Sequence, residues 1–210
     1  MNFAGGSVYA RKELGGWLAD VRAGGGLLTF DSKRRIVSTA DSLDLTAKAN
    51  WLGWVAEAHA GLAYVLRLGW LYLRPHASLD YVRVHQQGYK EEGAGAGVDL
   101  QVDSGNASQF SGTGALSLGM EFGDNFRWGP ELTFGRRELI SGKGGATVGR
   151  FLSGGADFSL SPEAMDQSAT LIRAGFRGSG RGAQVTVDGG LEDAGPYRQW
   201  DIRAVAKFAF

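Results

Sequence analysis

The last thirteen residues, "RQWDIRAVAKFAF" (198–210), alternate between an apolar and a mostly polar side. One side carries Trp200, Ile202, Ala204, Ala206, Phe208 and Phe210. A period of two is that of a β-strand, whereas a helix would repeat every three or four residues. Such a strand suits a half-buried soluble sheet. It also suits an outer-membrane barrel, where the apolar side meets lipid and the polar side faces the lumen.

The same alternation recurs along the chain, in segments separated by short turn signals such as "GSGRG" (178–182). These links are too short for a crossover helix, so neighbouring strands should be antiparallel. The sequence therefore predicts an all-β, antiparallel up-and-down fold of eleven strands. The predicted strands lie near 5–12, 16–31, 43–66, 69–86, 95–103, 111–123, 128–139, 146–160, 168–178, 182–192 and 198–210.

Two segments depart from the simple pattern. Within 43–65 the apolar positions are odd-numbered up to Val55 and even-numbered afterwards, which predicts a β-bulge near Gly53. The basic run "KRR" (33–35) is predicted to lie in a solvated loop or turn.

The composition excludes several classes of protein. The 210 residues include no Cys, which rules out a disulfide framework and a thiolate metal site. The 22 basic and 22 acidic residues balance, so nothing indicates nucleic acid as a partner. No run approaches the roughly 18 to 20 apolar residues of a membrane helix. The N-terminus has no signal-peptide pattern, so an export signal is expected upstream.

Strand length favours the membrane over water. Several predicted strands exceed the 5 or 6 residues usual in soluble sheets and match the roughly 9 to 11 of a tilted membrane-spanning strand. A terminal pair of Phe is a liability in water but suits the aromatic girdle of a membrane barrel. The polar residues predicted to face the lumen are Asp20, Arg22, Arg74, His76, Asp80, Glu121, Arg173, Arg177, Asp188 and Arg203.

The segment "LRPHASLDYVRVHQQGYKEEGAGAGVDLQV" (73–102) resembles a stretch shared by autotransporter β-domains. Downstream, "GALSLGMEF" (114–122), "WGPELTFGRREL" (128–139) and "IRAGFRG" (172–178) follow in that family's order, and the resemblance covers nearly the whole chain. It implies a 12-stranded barrel in the outer membrane of a Gram-negative bacterium. Such a barrel exports a passenger fused to its N-terminus (type V secretion), with a linker helix in the pore.

The resemblance also implies a set of partners. Phe208 and Phe210 occupy the two aromatic positions of the family's terminal signal, which the barrel-assembly machinery reads, whereas Val205 replaces the family's Gly. Outer-membrane lipids are the other partners.

Residues 1–210 are expected to be one barrel domain. Eleven strands is an odd number, whereas single-chain bacterial barrels have an even number, so either one strand escapes the sequence pattern or the first strand lies upstream. We favour the second interpretation, in which the first strand, pore helix and passenger lie upstream. A small outer-membrane porin or an adhesin-type barrel without a passenger is the alternative.

No chemistry is predicted from the polar residues. His76, Ser78 and Asp80 share one strand face, but neighbours on a face lie about 6.5 to 7 Å apart along the strand, beyond hydrogen-bond reach. His59 and His85 have no partner evident in the sequence, and no metal-ligand spacing occurs. We expect no enzyme activity, no cofactor and no metal.

Overall fold

The computed structural model describes residues 1–38, 43–161, 168–180, 182–195 and 197–208, which fold almost entirely into antiparallel strands. No helix among these residues is long and apolar enough to cross a membrane. The strands are β1 (Asn2–Leu14), β2 (Trp17–Ser38), β3 (Leu43–Tyr64), β4 (Leu66–Leu68), β5 (Leu71–Gln86), β6 (Tyr89–Lys90), β7 (Leu100–Val102), β8 (Gly105–Met120), β9 (Phe126–Lys143), β10 (Thr147–Phe151), β11 (Phe158–Leu160), β12 (Ala169–Gly180), β13 (Ala183–Ala194) and β14 (Tyr197–Phe208).

A main sheet contains the long strands in the order β1-β2-β3-β5-β8-β9-β12-β13-β14, with β4 paired to β5. All its neighbours are antiparallel, and the sheet curls into a half-barrel, which confirms the predicted fold class. Within the described residues, β1 and β14 each have one unpaired edge. Because nine antiparallel strands alternate in direction, β1 and β14 run the same way.

Two of the eleven predicted strands do not enter the main sheet. The segments at 95–103 and 146–160 contain β7, β10 and β11, which join β6 in a small second sheet ordered β11-β10-β7-β6. These strands are only 2 to 5 residues long, too short to cross a membrane. Between β10 and β11, Gly154 and Gly155 take positive φ angles of 96° and 114°, which interrupt any longer strand.

The two ends of the main sheet differ. Short connections at one end join β1 to β2 (15–16), β8 to β9 (121–125) and β12 to β13 (181–182). At the other end two connections are long, at 87–104 between β5 and β8 and at 144–168 between β9 and β12, whereas β13 and β14 are only two residues apart (195–196). Since β14 follows β13 back from that far end, Phe208 lies at the short-turn end.

The bulge predicted near Gly53 is absent, because β2 and β3 pair without interruption from Trp17↔Tyr64 to Ser38↔Leu43. Here the inner face of the main sheet denotes the side that carries Asp20 and Arg74, and the outer face denotes the opposite side. Along β2 the outer face is apolar up to Leu27 and then polar, while the inner face changes the other way. The phase changes because the surroundings of the two faces exchange, with the backbone register unbroken.

The small sheet explains this exchange. It packs on the inner face of the far part of the β2–β3 hairpin, where Ala47 and Ala49 are buried. The prediction for "KRR" (33–35) was therefore wrong, because these residues lie within β2. The irregularity that does occur in the main sheet lies between Phe110 and Ser111 of β8, where Ile140 of β9 is passed over.

Candidate functional site

Charged side chains on neighbouring strands pair across the inner face, and Glu131 of β9 is at the centre of one cluster. Its carboxylate accepts hydrogen bonds from Arg74 Nη2 at 2.7 and 2.8 Å and from the Tyr72 hydroxyl at 2.5 Å. Arg177 Nη2 approaches the same carboxylate at 3.4 Å. The Arg74 and Glu131 side chains are each only 15% exposed, so theirs is the ion pair best shielded from water among those of the described inner face.

Small residues make room for this cluster. Gly119 lies under the Tyr72 ring, and a Cβ at this position would overlap the ring atoms. Ser117, which is fully buried, shares a 2.7 Å hydrogen bond with the Thr133 hydroxyl. The row of small residues on the inner face of β8 therefore leaves the space in which the hydroxyphenyl group of Tyr72 reaches Glu131.

A second cluster connects the last three strands. Arg173 of β12 donates to Asp188 of β13 and to Asp201 of β14, both at 2.7 Å. Arg203 of β14 donates to the same Asp188 at 3.0 Å. Both clusters border a cavity of about 340 Å³ that Arg74, His76, Arg173, Arg177 and Arg203 help to line.

A third cluster connects β2, β3 and β5 through His59. The His59 Nδ1 atom lies 2.7 Å from Asp80 Oδ1, and its Nε2 atom lies 3.1 Å from Asp20 Oδ2. Ser78 donates to Asp80 at 3.2 Å. No partner for His59 is evident in the sequence, because Asp80 and Asp20 are 21 and 39 residues away. Strand register would have been the only signal, since it places His59 beside Asp80.

Nine of the ten predicted polar residues lie in strands on the inner face, and eight of them fall in clusters or cross-strand pairs. Arg22 pairs with Glu57 at 3.6 Å. His76 stays apart: among the described residues its buried Nδ1 has no hydrogen-bond partner, and it does not join Ser78 and Asp80. The tenth, Glu121, follows β8 in the short connection and pairs with Arg67 at 3.6 Å and Arg127 at 3.5 Å.

The two terminal aromatic residues are only partly within the described part of the chain. Phe208 ends β14 on the outer face, and its side chain is 63% exposed. Phe210 lies outside the described residues.

The described residues form no catalytic arrangement. Ser78 bonds to Asp80 and not to a histidine, and both ring nitrogens of His59 face carboxylates. No group of three side chains able to hold a metal ion occurs in the part of the chain that the structure describes. The charged side chains of the inner face are thus mostly paired with one another, which suits a surface in contact with water.

A separate contact attaches the small sheet to the β2–β3 hairpin. The buried Glu91 carboxylate accepts from Arg34 Nε at 3.1 Å, and Arg34 Nη2 donates to the Val98 carbonyl at 2.7 Å. Trp51 stacks on Tyr89 with ring centroids 4.0 Å apart. Burial raises the pKa of Tyr89, and the nearby Glu91 carboxylate raises this pKa further. We call residues 87–104, which carry Tyr89 and Glu91, the cap segment.

The chain matches a known protein family. A protein-family model described as the autotransporter beta-domain matches residues 1–191, which leaves only 192–210 unmatched. No curated protein matches the chain at a significant level.

Proposed function

The chain belongs to the autotransporter β-domain family, and from this premise we propose that it anchors an N-terminal passenger and exports that passenger through its lumen. Members of this family form translocator barrels of the outer membrane. The export step, the passenger, and recognition of Phe208 and Phe210 by the barrel-assembly machinery are parts of the proposal. We assign no catalytic role and no cofactor to the domain.

The observation that carries the proposal is that the two faces of the main sheet suit different solvents, lipid on the outer face and water on the inner face. Large apolar side chains on the outer face are between 45% and 74% exposed, including Val21, Leu27, Leu52, Leu62, Leu79, Leu116, Leu118, Phe134, Phe176, Val187, Trp200 and Ile202. A continuous apolar surface of this kind is unfavourable in water. Along β2 it extends over eleven residues from Trp17 to Leu27, or about 25 Å for a strand tilted by about 40°.

Aromatic residues mark one border of this surface. At the short-turn end, ring centroids are 5.9 Å apart for Trp70 and Phe122, 5.5 Å for Phe122 and Trp128, and 5.6 Å for Trp128 and Phe176. Trp and Tyr prefer the membrane–water interface, where an apolar ring meets a wet surface. In outer-membrane barrels the short turns are periplasmic. We therefore orient the short-turn end, with Phe208, toward the periplasm.

The inner face supports export of a polar polypeptide. Its carboxylates are largely neutralised by arginines of the same sheet, as in the clusters around Glu131 and Asp188. An inner face whose charges are paired stays hydrated. Around Glu131 and Asp188 it offers an extended polypeptide neither an apolar groove nor an unpaired buried charge. A passenger can pass such a surface without being held there.

The test expresses the native gene with an epitope tag at the mature N-terminus of its full-length product, because Met1 lies at the end of β1 opposite the short turns and would be outside the cell in either case. We expect the protein in the outer-membrane fraction, with a heat-dependent gel shift and a tag that protease removes from intact cells. Purification as a monomer without detergent would refute the membrane assignment. A heat-shifting barrel whose tag stays protected would instead favour the porin or adhesin alternative. A periplasmic protein that remains undigested serves as the control for cell integrity.

A further inference from the structure

An arginine without a carboxylate partner lies where the apolar part of the outer face ends. On β5 the outer face is apolar over eleven residues from Leu71 to Tyr81, and Arg83 is the next residue on that face. The Arg83 Cζ atom lies 5.7 Å from the centroid of the Trp54 ring. This contact orients the guanidinium group and leaves its charge in place. Because tryptophan prefers the membrane–water interface, Trp54 also places Arg83 at that border.

The strands beside Arg83 carry a second cation. Arg83 is directly opposite Ser108 of β8 in the register, and Ser108 is directly opposite Lys143 of β9. All three side chains are therefore on the outer face, and the two cations are two strand spacings, or about 10 Å, apart. Ser108 carries a hydroxyl group between them. We call Arg83, Ser108 and Lys143 the border row.

No carboxylate of the described residues neutralises the border row. Arg83 and Lys143 are exposed, and neither forms an ion pair within the described part of the chain. Two nearby carboxylates, Glu57 and Asp80, lie on the inner face, where each has its own partner. The residues directly paired with Arg83 on its two sides, Ala56 and Ser108, are uncharged.

Two acidic residues of the outer face lie further from the membrane. Asp31 is directly opposite Asn50, and Glu92 of the cap segment is joined to Lys48 by two backbone hydrogen bonds of 2.9 Å. Asn50 and Lys48 are four and six residues from Trp54 along β3, or roughly 13 and 20 Å. The two positive charges of the border row are therefore left for a ligand from outside the chain.

The height of the border row matches that of a lipid phosphate. Arg83 lies two residues beyond Tyr81, where the apolar part of β5 ends. At about 3.3 Å per residue and a tilt of about 40°, this is roughly 5 Å above the hydrocarbon boundary. The head-group region on each side of a bilayer is about 5 to 7 Å thick. In the proposed orientation, this end of the sheet faces the outer leaflet.

We propose that Arg83 and Lys143 bind the phosphate of an outer-leaflet glycolipid. This inference rests on the proposed membrane orientation. The outer leaflet of a bacterial outer membrane consists mainly of phosphorylated glycolipid, which selects this ligand over a phospholipid. Its phosphate oxygens would accept charge-assisted hydrogen bonds from the border row, which are stronger than neutral ones. Its acyl chains would lie against the apolar side chains of β5 below, from Tyr81 to Leu71.

The test measures binding of the full-length product, folded in detergent, to three immobilised lipids. These are a diphosphorylated lipid A, the same lipid A without its phosphates, and phosphatidylglycerol. The variant is R83Q/K143Q. R83K/K143R keeps both charges, and K12Q/K90Q removes two exposed lysines at other sites as the matched control for net charge. Heat-shift gels of the same samples report whether the barrel has folded.

We expect R83Q/K143Q to bind diphosphorylated lipid A at least about tenfold more weakly than the parent chain, the loss of about one charge-assisted contact. R83K/K143R and K12Q/K90Q should retain parental binding, and all chains should bind the phosphate-free lipid equally weakly.

Three results would contradict this assignment. Equal binding of diphosphorylated lipid A by parent and R83Q/K143Q would overturn the proposal, as would a parent that binds lipid A equally with and without phosphates. A parent that binds phosphatidylglycerol as tightly as diphosphorylated lipid A would overturn the glycolipid as the ligand. A parent without a heat shift would refute the membrane assignment itself.

Discussion

At the scale of single residues, shielding from water separates the ion pairs that stabilise the fold from those that do not. Arg74 and Glu131 are each 15% exposed, whereas Arg35 and Asp44 are 67% and 57% exposed. Exposed pairs contribute little because water and salt screen them. Removing one partner of a shielded pair is costly, because the other charge is left unpaired.

We therefore expect Glu131→Gln to lower the free energy of unfolding by about 3 kcal/mol, because it leaves Arg74 and Arg177 without their shared carboxylate. Asp44→Asn should lower the free energy of unfolding far less, because water and salt screen its exposed pair with Arg35. Urea unfolding in lipid vesicles measures both values. Equal losses for the two variants would contradict the role given to shielding.

Tyr89 supplies a prediction about pH. Its raised pKa means that the folded state favours the neutral phenol, so its contribution is complete below the ordinary tyrosine value of about 10. That contribution is lost as the pH rises through the raised value. We expect alkaline titration, followed by ultraviolet absorbance and Trp51 fluorescence, to show the cap segment detaching above that pH. Tyr89→Phe should remove one late-titrating tyrosine and delay the detachment. An unchanged titration in this variant would contradict the prediction.

At the scale of strands, a period of two revealed most of the architecture, because each long strand separates two different surroundings. The local pattern could not reveal that these surroundings exchange partway along a strand. Residues 43–65 show why: the change of apolar phase predicts a bulge at Gly53, yet the register continues and the apolar side changes from the inner face to the outer face along β3. The partners of His59 were equally hidden, because strand register depends on the whole sheet and not on local pattern.

Two valines on the outer face of β2 test where the membrane ends. Val21 lies near the middle of the apolar stretch, and Val37 lies beyond it, with exposures of 53% and 59%. Arginine on the lipid face costs about 2 to 4 kcal/mol at the midplane of the bilayer. We expect Val21→Arg to show this loss in urea unfolding in vesicles and Val37→Arg to change stability by less than about 0.5 kcal/mol. Similar losses at both positions would place the two valines in the same solvent.

At the scale of the whole molecule, the main sheet and the small sheet are separable. β5 and β8 pair along their full lengths up to Gln86↔Gly105, and the cap segment leaves the main sheet between these two residues. The pairing of β5 with β8 is therefore complete without the cap segment, whereas the edge of β3 before Gly53 would lose its backbone hydrogen bonds to Gln87 and Glu92. What the cap segment adds is cover for the inner face of the β2–β3 hairpin.

Replacing residues 87–104 by an Asn-Gly turn should leave the barrel intact, because a two-residue turn can join directly opposed strand ends. We expect the heat shift to persist, whereas Trp51 emission moves to longer wavelength and protease cuts the tip of the β2–β3 hairpin. In the chain that keeps residues 87–104, Arg34→Gln should expose Trp51 and the hairpin to a smaller extent, since the buried Glu91 loses its charged partner. Loss of the heat shift would mean that the cap segment is needed for folding.

The strands differ in length around the sheet. β2 and β3 each contain 22 residues, whereas β13 and β14 each contain 12, and both pairs start from the short-turn end. Ten further residues raise the rim by about 25 Å on one side. The rim at the far end of the sheet is therefore oblique: it is high at β2 and β3, where the cap segment covers the inner face, and low at β13 and β14. A polypeptide that left the barrel at this end would be directed toward the low side and would lie close to the bilayer, beside β13 and β14.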